Sequence, residues 1–117
     1  KGSTPAPAGE LAVIPGSMGA PSFIVQGVGN ALSHDSCSHG AGRRMSRGDA
    51  KRQFDLDTIV LQLSETFTEP SIGMADEAPG AYKEIERGIE LQAGLIEVVH
   101  RLRPIITIKG DARARDD

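Results

Sequence analysis

Between Pro79 and Pro104 the chain carries one stretch in which apolar residues recur at helical spacing: Tyr82, Ile85, Ile89, Ala93, Ile96, Val99 and Leu102. Steps of three or four put all seven on one face, so the spacing predicts an amphipathic helix bounded by the two prolines. Gly88 and Gly94 lie inside it, and each weakens a helix by ~1 kcal/mol relative to alanine. Packing, rather than intrinsic propensity, therefore has to hold this element in place. His100 falls in its last turn, where a partial positive charge suits the helix dipole. Asp76 and Glu77 precede it, as a cap or as the receiver of a basic partner.

The rest of the chain is cut into short pieces. Residues 1–10 form a Pro/Gly/Ala-rich extended entry. Leu11–Ile14 is a buried-strand pattern stopped by Pro15, residues 15–22 are a loop by composition, and residues 23–26 are a second strand. Residues 33–44 read as loop. Ser46 with Asp49 three residues later has the form of a capping box that starts a helix running to about Phe54. Residues 56–63 fit helix or strand equally, 66–73 are loop, residues 105–108 are a short strand, and 111–117 are a charged tail expected to be disordered. There are no internal repeats. The expected fold class is α+β, mixed strands and helices without a regular βαβ rhythm.

With 38% hydrophobic and only 3% aromatic residues in 117, the core has to be made of Ile, Leu and Val, and some apolar surface is expected to stay exposed. No apolar run approaches the ~18–20 residues of a bilayer span. The single cysteine, Cys37, excludes an internal disulfide and suits a reducing compartment, so a cytoplasmic location is expected. The first residue is Lys rather than Met, which raises the expectation of a segment of something longer. Net charge is −3, yet residues 43–52 hold Arg43, Arg44, Arg47, Lys51 and Arg52 against the single acid Asp49. A basic island in an acidic chain points to a local anion site.

Two loops have the composition for such a site. Gly16, Ser17, Met18 and Gly19 follow a strand and offer backbone amides that no large side chain shields, with hydroxyls at Ser17 and Ser22; the alternative is a plain turn. His39-Gly40-Ala41-Gly42 sets an imidazole among small residues that let a bulky ligand approach. The amides that follow, and Arg43, can neutralise a phosphate. A neutral imidazole is also a nucleophile able to form a phosphoramidate. The plainer alternative is a solvated loop histidine. Cys37 and His39 alone are too few for a metal site, so Cys37 is read as buried filler. Lys109, after the last apolar run, can bring a charge to a site or simply be solvated.

Four segments taken together say more: VIPGSMGAPSFIV (13–25), CSHGAGRRMSR (37–47), DEAPGAYKEI (76–85) and VVHRLRPIITIKG (98–110). In order and approximate spacing they resemble the C-terminal end of the RtcB family of RNA-splicing ligases, over residues 1 to about 110. The resemblance implies the C-terminal portion of a single large catalytic domain, with 111–117 as a tail. It implies that His39 accepts GMP from GTP, that the GMP passes to an RNA 3′-phosphate, and that a 5′-hydroxyl end then displaces it. A 2′,3′-cyclic phosphate would first be hydrolysed. Pro15, Gly16, Ser17, Met18, Ser22, Gly40, Ala41, Gly42 and Lys109 match positions at the guanine nucleotide. The resemblance further implies manganese, held by ligands upstream and by none of this chain's residues. RNA, either tRNA halves or broken transcripts, and an archease-type activator are the implied partners. By itself the chain is expected to be inactive, and a non-catalytic guanine-nucleotide or RNA-binding module is the alternative.

Overall fold

A computed structural model of the chain describes residues 3–108; Lys109 and the 111–117 tail lie outside the described residues. Both helices and strands are present, in small sheets, as an α+β chain requires. Strand β1 (Ser3–Pro5) pairs antiparallel with β4 (Ser36–Ser38), placing Thr4 opposite Cys37. Strands β2 (Leu11–Ile14), β3 (Ser22–Gly27) and β5 (Ile96–Leu102) form a second antiparallel sheet in the order β2-β3-β5. Strand β3 alternates half-buried and buried positions, with Phe23 and Val25 inward, so its period of two is that of a one-sided sheet.

Three short α-helices are present among the described residues. Helix α1 (Arg47–Gln53) starts at the Ser46 cap, whose hydroxyl accepts from the Asp49 N–H at 3.0 Å, so the capping box is formed. The ambiguous 56–63 stretch is helix α2 (Leu56–Gln62), and Asp55 decides the matter: its carboxylate accepts from the Thr58 N–H at 2.9 Å. Helix α3 (Ile85–Glu90) is the last.

The long helix over 82–102 does not exist. Helix α3 occupies only six residues and lacks a side-chain cap; the backbone turns through 91–95, and the remainder is β5. The β-branched residues Ile96, Val98 and Val99 suit an extended backbone, and pairing with β3 satisfies their amides. Ile24 opposes His100 while Val25 opposes Val98, so Val99 is an extra, bulged residue. That bulge shifts the strand's alternation, and a shifted alternation reads in sequence as steps of three. His100 thus lies in a strand, not at a helix end. Asp76 and Glu77 do not cap a helix but belong to a 3₁₀ turn, Ile72–Glu77, and meet Arg47. The 105–108 strand is not formed either. Pro104 interrupts the backbone, and the segment makes two isolated bonds: Phe67 N–H to the Ile105 carbonyl at 2.7 Å, and Thr107 N–H to Thr68 Oγ1 at 2.9 Å.

The interior is two clusters. One joins Ala6, Ile14, Phe23, Val25, Cys37, Ile85, Ile89 and Ile96; the other joins Met18, Ala50, Phe54, Ile59, Leu63, Ala75, Ala78 and Ala81. Ile14, Met18, Ile59 and Val25 are the largest side chains fully withdrawn from water. The outer face of the three-stranded sheet, by contrast, leaves Leu11, Val13 and Leu102 exposed.

Truncating Met18 to alanine should destabilise the fold by about 2–5 kcal/mol in urea titrations, whereas Met18→Leu should cost less than about 1.5. The Thr58 backbone N–H holds the Asp55 carboxyl below its ordinary value of 3.8. A depressed folded value means that the stabilisation is present above the unfolded value and is lost as pH falls through the folded one. Asp55→Asn should therefore differ from the parent in urea midpoint near neutrality and converge with it in acid.

Candidate functional site

Each site loop runs between two buried anchors. Ile14 ends β2 in the first cluster and Met18 enters the second, leaving Pro15, Gly16 and Ser17 to span the gap. The turn is tight: a Cβ on Gly16 would lie 2.2 Å from the Pro21 carbonyl oxygen, so only glycine fits. The Gly16 N–H donates to Ser22 Oγ at 2.9 Å, which fastens the loop to the start of β3. The second loop leaves β4 at Ser38, whose N–H donates to Gln92 Oε1 at 2.8 Å. It passes His39, Gly40, half-buried Ala41 on the first cluster and Gly42 at φ +76°, and reaches Met45 against the second cluster. The two loops approach closely, since a Cβ on Gly40 would stand 3.6 Å from the Pro15 carbonyl oxygen.

Between them lies a cavity of about 590 Å³ lined by Pro15, Gly16, Ser17, His39, Gly40, Ala41, Gly42, Arg43, Arg47, Glu77 and Tyr82. His39 is exposed at this cavity. Seven of the sequence-read positions thus meet in one place. Met18 and Ser22 do not line it: Met18 is 1% exposed in the second cluster, and Ser22 acts through Gly16. Lys109 falls outside the described residues. Cys37 is buried, 4% exposed, and burial pushes its thiol above the ordinary range.

Three lining residues had no site role in the sequence reading. Sequence spacing puts Tyr82 on a helix face, Glu77 at a cap or against a basic partner, and Arg47 in the basic island; Glu77 does receive a basic partner, Arg47. Here they form a network. The Arg43 guanidinium stands 5.0 Å from the Tyr82 ring centroid, donates to Tyr82 Oη at 3.2 Å, and donates to the Met45 and Asp76 carbonyls at 3.0 and 2.5 Å. The Tyr82 hydroxyl donates to the Glu77 carboxylate, which also accepts from Arg47. Arg47 donates in addition to Asp76 Oδ2 at 3.1 Å. The signal available in the sequence was the chain's sole tyrosine, directly after a Pro-Gly turn and downstream of two acids.

Among the described residues, no group of three or more His, Cys, Asp or Glu side chains comes together that could hold a metal ion. The described residues do not by themselves make a manganese centre. Among the described residues, too, no helix is long and apolar enough to cross a membrane.

An exposed imidazole, two glycine-containing loops and a pair of arginines engaged by their neighbours define a loop-built cleft. Residues 1–110 match the family model described as tRNA-splicing ligase RtcB, and the chain belongs to that family. It is 44% identical over 110 residues to the RNA-splicing ligase RtcB of Escherichia coli K12, covering 94% of this chain and 27% of that protein. Against the tRNA-splicing ligases RtcB of Nanoarchaeum equitans and Pyrococcus furiosus the identities are 36% and 38%. Each match covers 87% of this chain, with 23% and 11% of the respective relative. The chain therefore spans about a quarter or less of these relatives' length.

Burial, then the hydrogen bond to Glu77 and its charge, raise the Tyr82 phenol above its ordinary 10.0, against a smaller opposing effect of Arg43. A raised folded value stabilises below the unfolded value, and that contribution is lost as pH rises through the folded one. Because this is the only tyrosine and there is no tryptophan, tyrosinate absorbance should titrate above 10.0 in the native chain and at the ordinary value in urea. Glu77→Gln should lower the native midpoint without fully normalising it.

Proposed function

We propose that this chain supplies the nucleophile and part of the nucleotide pocket of an RNA ligase that joins 3′-phosphate or 2′,3′-cyclic phosphate ends to 5′-hydroxyl ends. The observation that carries the reading is His39, exposed at a cavity whose walls are the two small-residue loops. An imidazole nitrogen attacks the α-phosphorus of GTP; a P–N bond forms, the P–O bond to pyrophosphate breaks, and pyrophosphate leaves. An oxygen of an RNA 3′-phosphate then attacks the same phosphorus, the P–N bond breaks, and His39 is released. Finally the 5′-hydroxyl attacks the RNA 3′-phosphorus and GMP departs. Phosphoryl transfer of this kind demands positioning and charge stabilisation more than unusual side chains.

In this scheme the backbone N–H groups of Ser17 and of residues 40–42 approach the nucleotide, and the Tyr82 ring walls the same cavity. Met18 and Ser22 act indirectly, by anchoring the first loop. Arg43 and Arg47 brace the far wall of the cavity, Arg43 through the Tyr82 ring and main-chain carbonyls and Arg47 through the Asp76 and Glu77 carboxylates. Lys109 is the further nucleotide contact that the family resemblance implies. The resemblance likewise implies manganese held upstream of this segment, an archease-type activator and a cytoplasmic setting.

Guanine nucleotide should quench the emission of Tyr82, while the 117-residue chain takes no covalent label from GTP. Substituted for the matching segment of the E. coli relative, the chain should accept an acid-labile GMP label from radiolabelled GTP and manganese, and His39→Ala should abolish it. A folded chimera that labels equally well without His39 would sink the proposal.

A further inference from the structure

An isolated β-bridge between loops sorts the cations of this region. Arg43 pairs antiparallel with Tyr82, with the Arg44 N–H donating to the Ala81 carbonyl at 2.8 Å and the Lys83 N–H to the Gly42 carbonyl at 2.9 Å. Successive residues of an extended backbone point to opposite sides. Arg43 and Tyr82 face the His39 cavity, and Arg44 and Lys83 face away from it. Being diagonal across the bridge, their Cα atoms are about 7–8 Å apart. On that other side is a second cavity of about 360 Å³, and both cations line it, together with Glu84, Glu86 and Arg101. Ser17 and Tyr82 line both cavities and are the wall between them.

Charge pairing separates the two sides. Arg43 and Arg47 are engaged by carbonyls and carboxylates, as described above. In the second cavity Arg101 is engaged as well, donating to Glu86 at 2.6 Å. The side chains of Arg44 and Lys83 have no partner among the described residues, and both are exposed. Glu84 is the single acid of that cavity left to oppose them. The aliphatic stem of Lys83 passes the glycine loop, its Cδ being 3.9 Å from where a Gly42 Cβ would stand. The unspent positive charge therefore lies one side-chain thickness from His39's cavity, on the far side of its wall.

We propose that Arg44 and Lys83 form a subsite for the backbone phosphates of single-stranded RNA, leading the strand along the second cavity to the Ser17–Tyr82 wall. This rests on the ligase reading of the His39 cavity and assigns the neighbouring groove to the other substrate. Two flexible cations recognise backbone charge, not sequence, and the aromatic of that cavity, Tyr82, already has its ring under the Arg43 guanidinium.

The test is the binding of a fluorescein-labelled single-stranded RNA with a 3′-phosphate to the full 117-residue chain, over a series of salt concentrations. For a single strand, each phosphate neutralised contributes about 0.7 to the slope of log K against log salt. Arg44→Gln and Lys83→Gln should each lower that slope by about 0.7, and the double substitution by about 1.4. Lys83→Arg should restore the slope. Circular dichroism should be unchanged, both side chains being exposed. Quenching of Tyr82 by GMP should also persist. If the doubly substituted chain keeps the parent's slope, or if the parent binds RNA no better than it does, the subsite is refuted. Loss of GMP quenching in the parent, with the RNA slope behaving as expected, would instead count against the ligase reading alone.

Discussion

The site depends on a separation between two apolar clusters. Ile14 and Met18 are four residues apart, yet each is withdrawn from water in a different cluster. The three residues between them cannot join either interior, so their backbone is stretched over the seam. The second loop repeats the device, from Cys37 and Ala41 on one cluster to Met45 on the other. Burying a side chain of this size is worth about 1.5–3 kcal/mol. Apolar burial outside the loops thus fixes what glycine-containing loops could not fix for themselves. That explains why a polar, flexible stretch such as 38–42 can hold an imidazole in one place.

Charge on the cavity rim follows a second logic. Arg43 and Arg47 read, in sequence, as free anion-binding groups. In the fold they are building material, held by Tyr82, Glu77, Asp76 and two main-chain carbonyls. Arg47 faces two carboxylates, so the Arg47–Asp76–Glu77 group carries net negative charge. The hydrogen bond to Glu77, followed by the charge of that carboxylate, holds the Arg47 guanidinium above its ordinary value. Arg47 is more than half exposed, and a solvent-screened pair contributes little to stability. The geometric effect is larger than the energetic one: the network joins the 43–47 segment to the 76–82 segment and gives the cavity its far wall.

What could be read from sequence divides along the same lines. Strand β2 was legible because Pro15 ends it. Helix α1 was legible because Ser46 and Asp49 carry a local hydrogen-bonded cap. Both signals act within four residues. Helix α3 and strand β5 were misread because their shared pattern is not local. Apolar residues of a short helix, a turn and a bulged strand happen to fall three or four apart although Ala93, Val99 and Leu102 stay exposed, and only pairing with β3 distinguishes that from a helix. The loop positions 15–17 and 39–42 were legible from small residues and a histidine. Glu77 and Tyr82 were not, because their part in the site comes from an antiparallel bridge between segments 39 residues apart, Arg43 with Tyr82. The burial of Met18 in the second cluster was not legible, since a methionine in a glycine loop carries no mark of which way it turns.

The same bridge gives the proposed chemistry its direction. A nucleotide attached to His39 and an RNA end arriving past Arg44 and Lys83 would meet across Ser17 and Tyr82, the residues common to both cavities. Ser17 brings a hydroxyl, and Tyr82 a phenol already committed to Glu77 and Arg43. A phenol is neutral near pH 7 and adds no negative charge between two anionic substrates; burial and Glu77 move its ionisation further from that range. A wall that is polar but uncharged is what such an arrangement needs. A carboxylate in that position would repel both ligands, and a cation would hold them apart from each other by binding each too well.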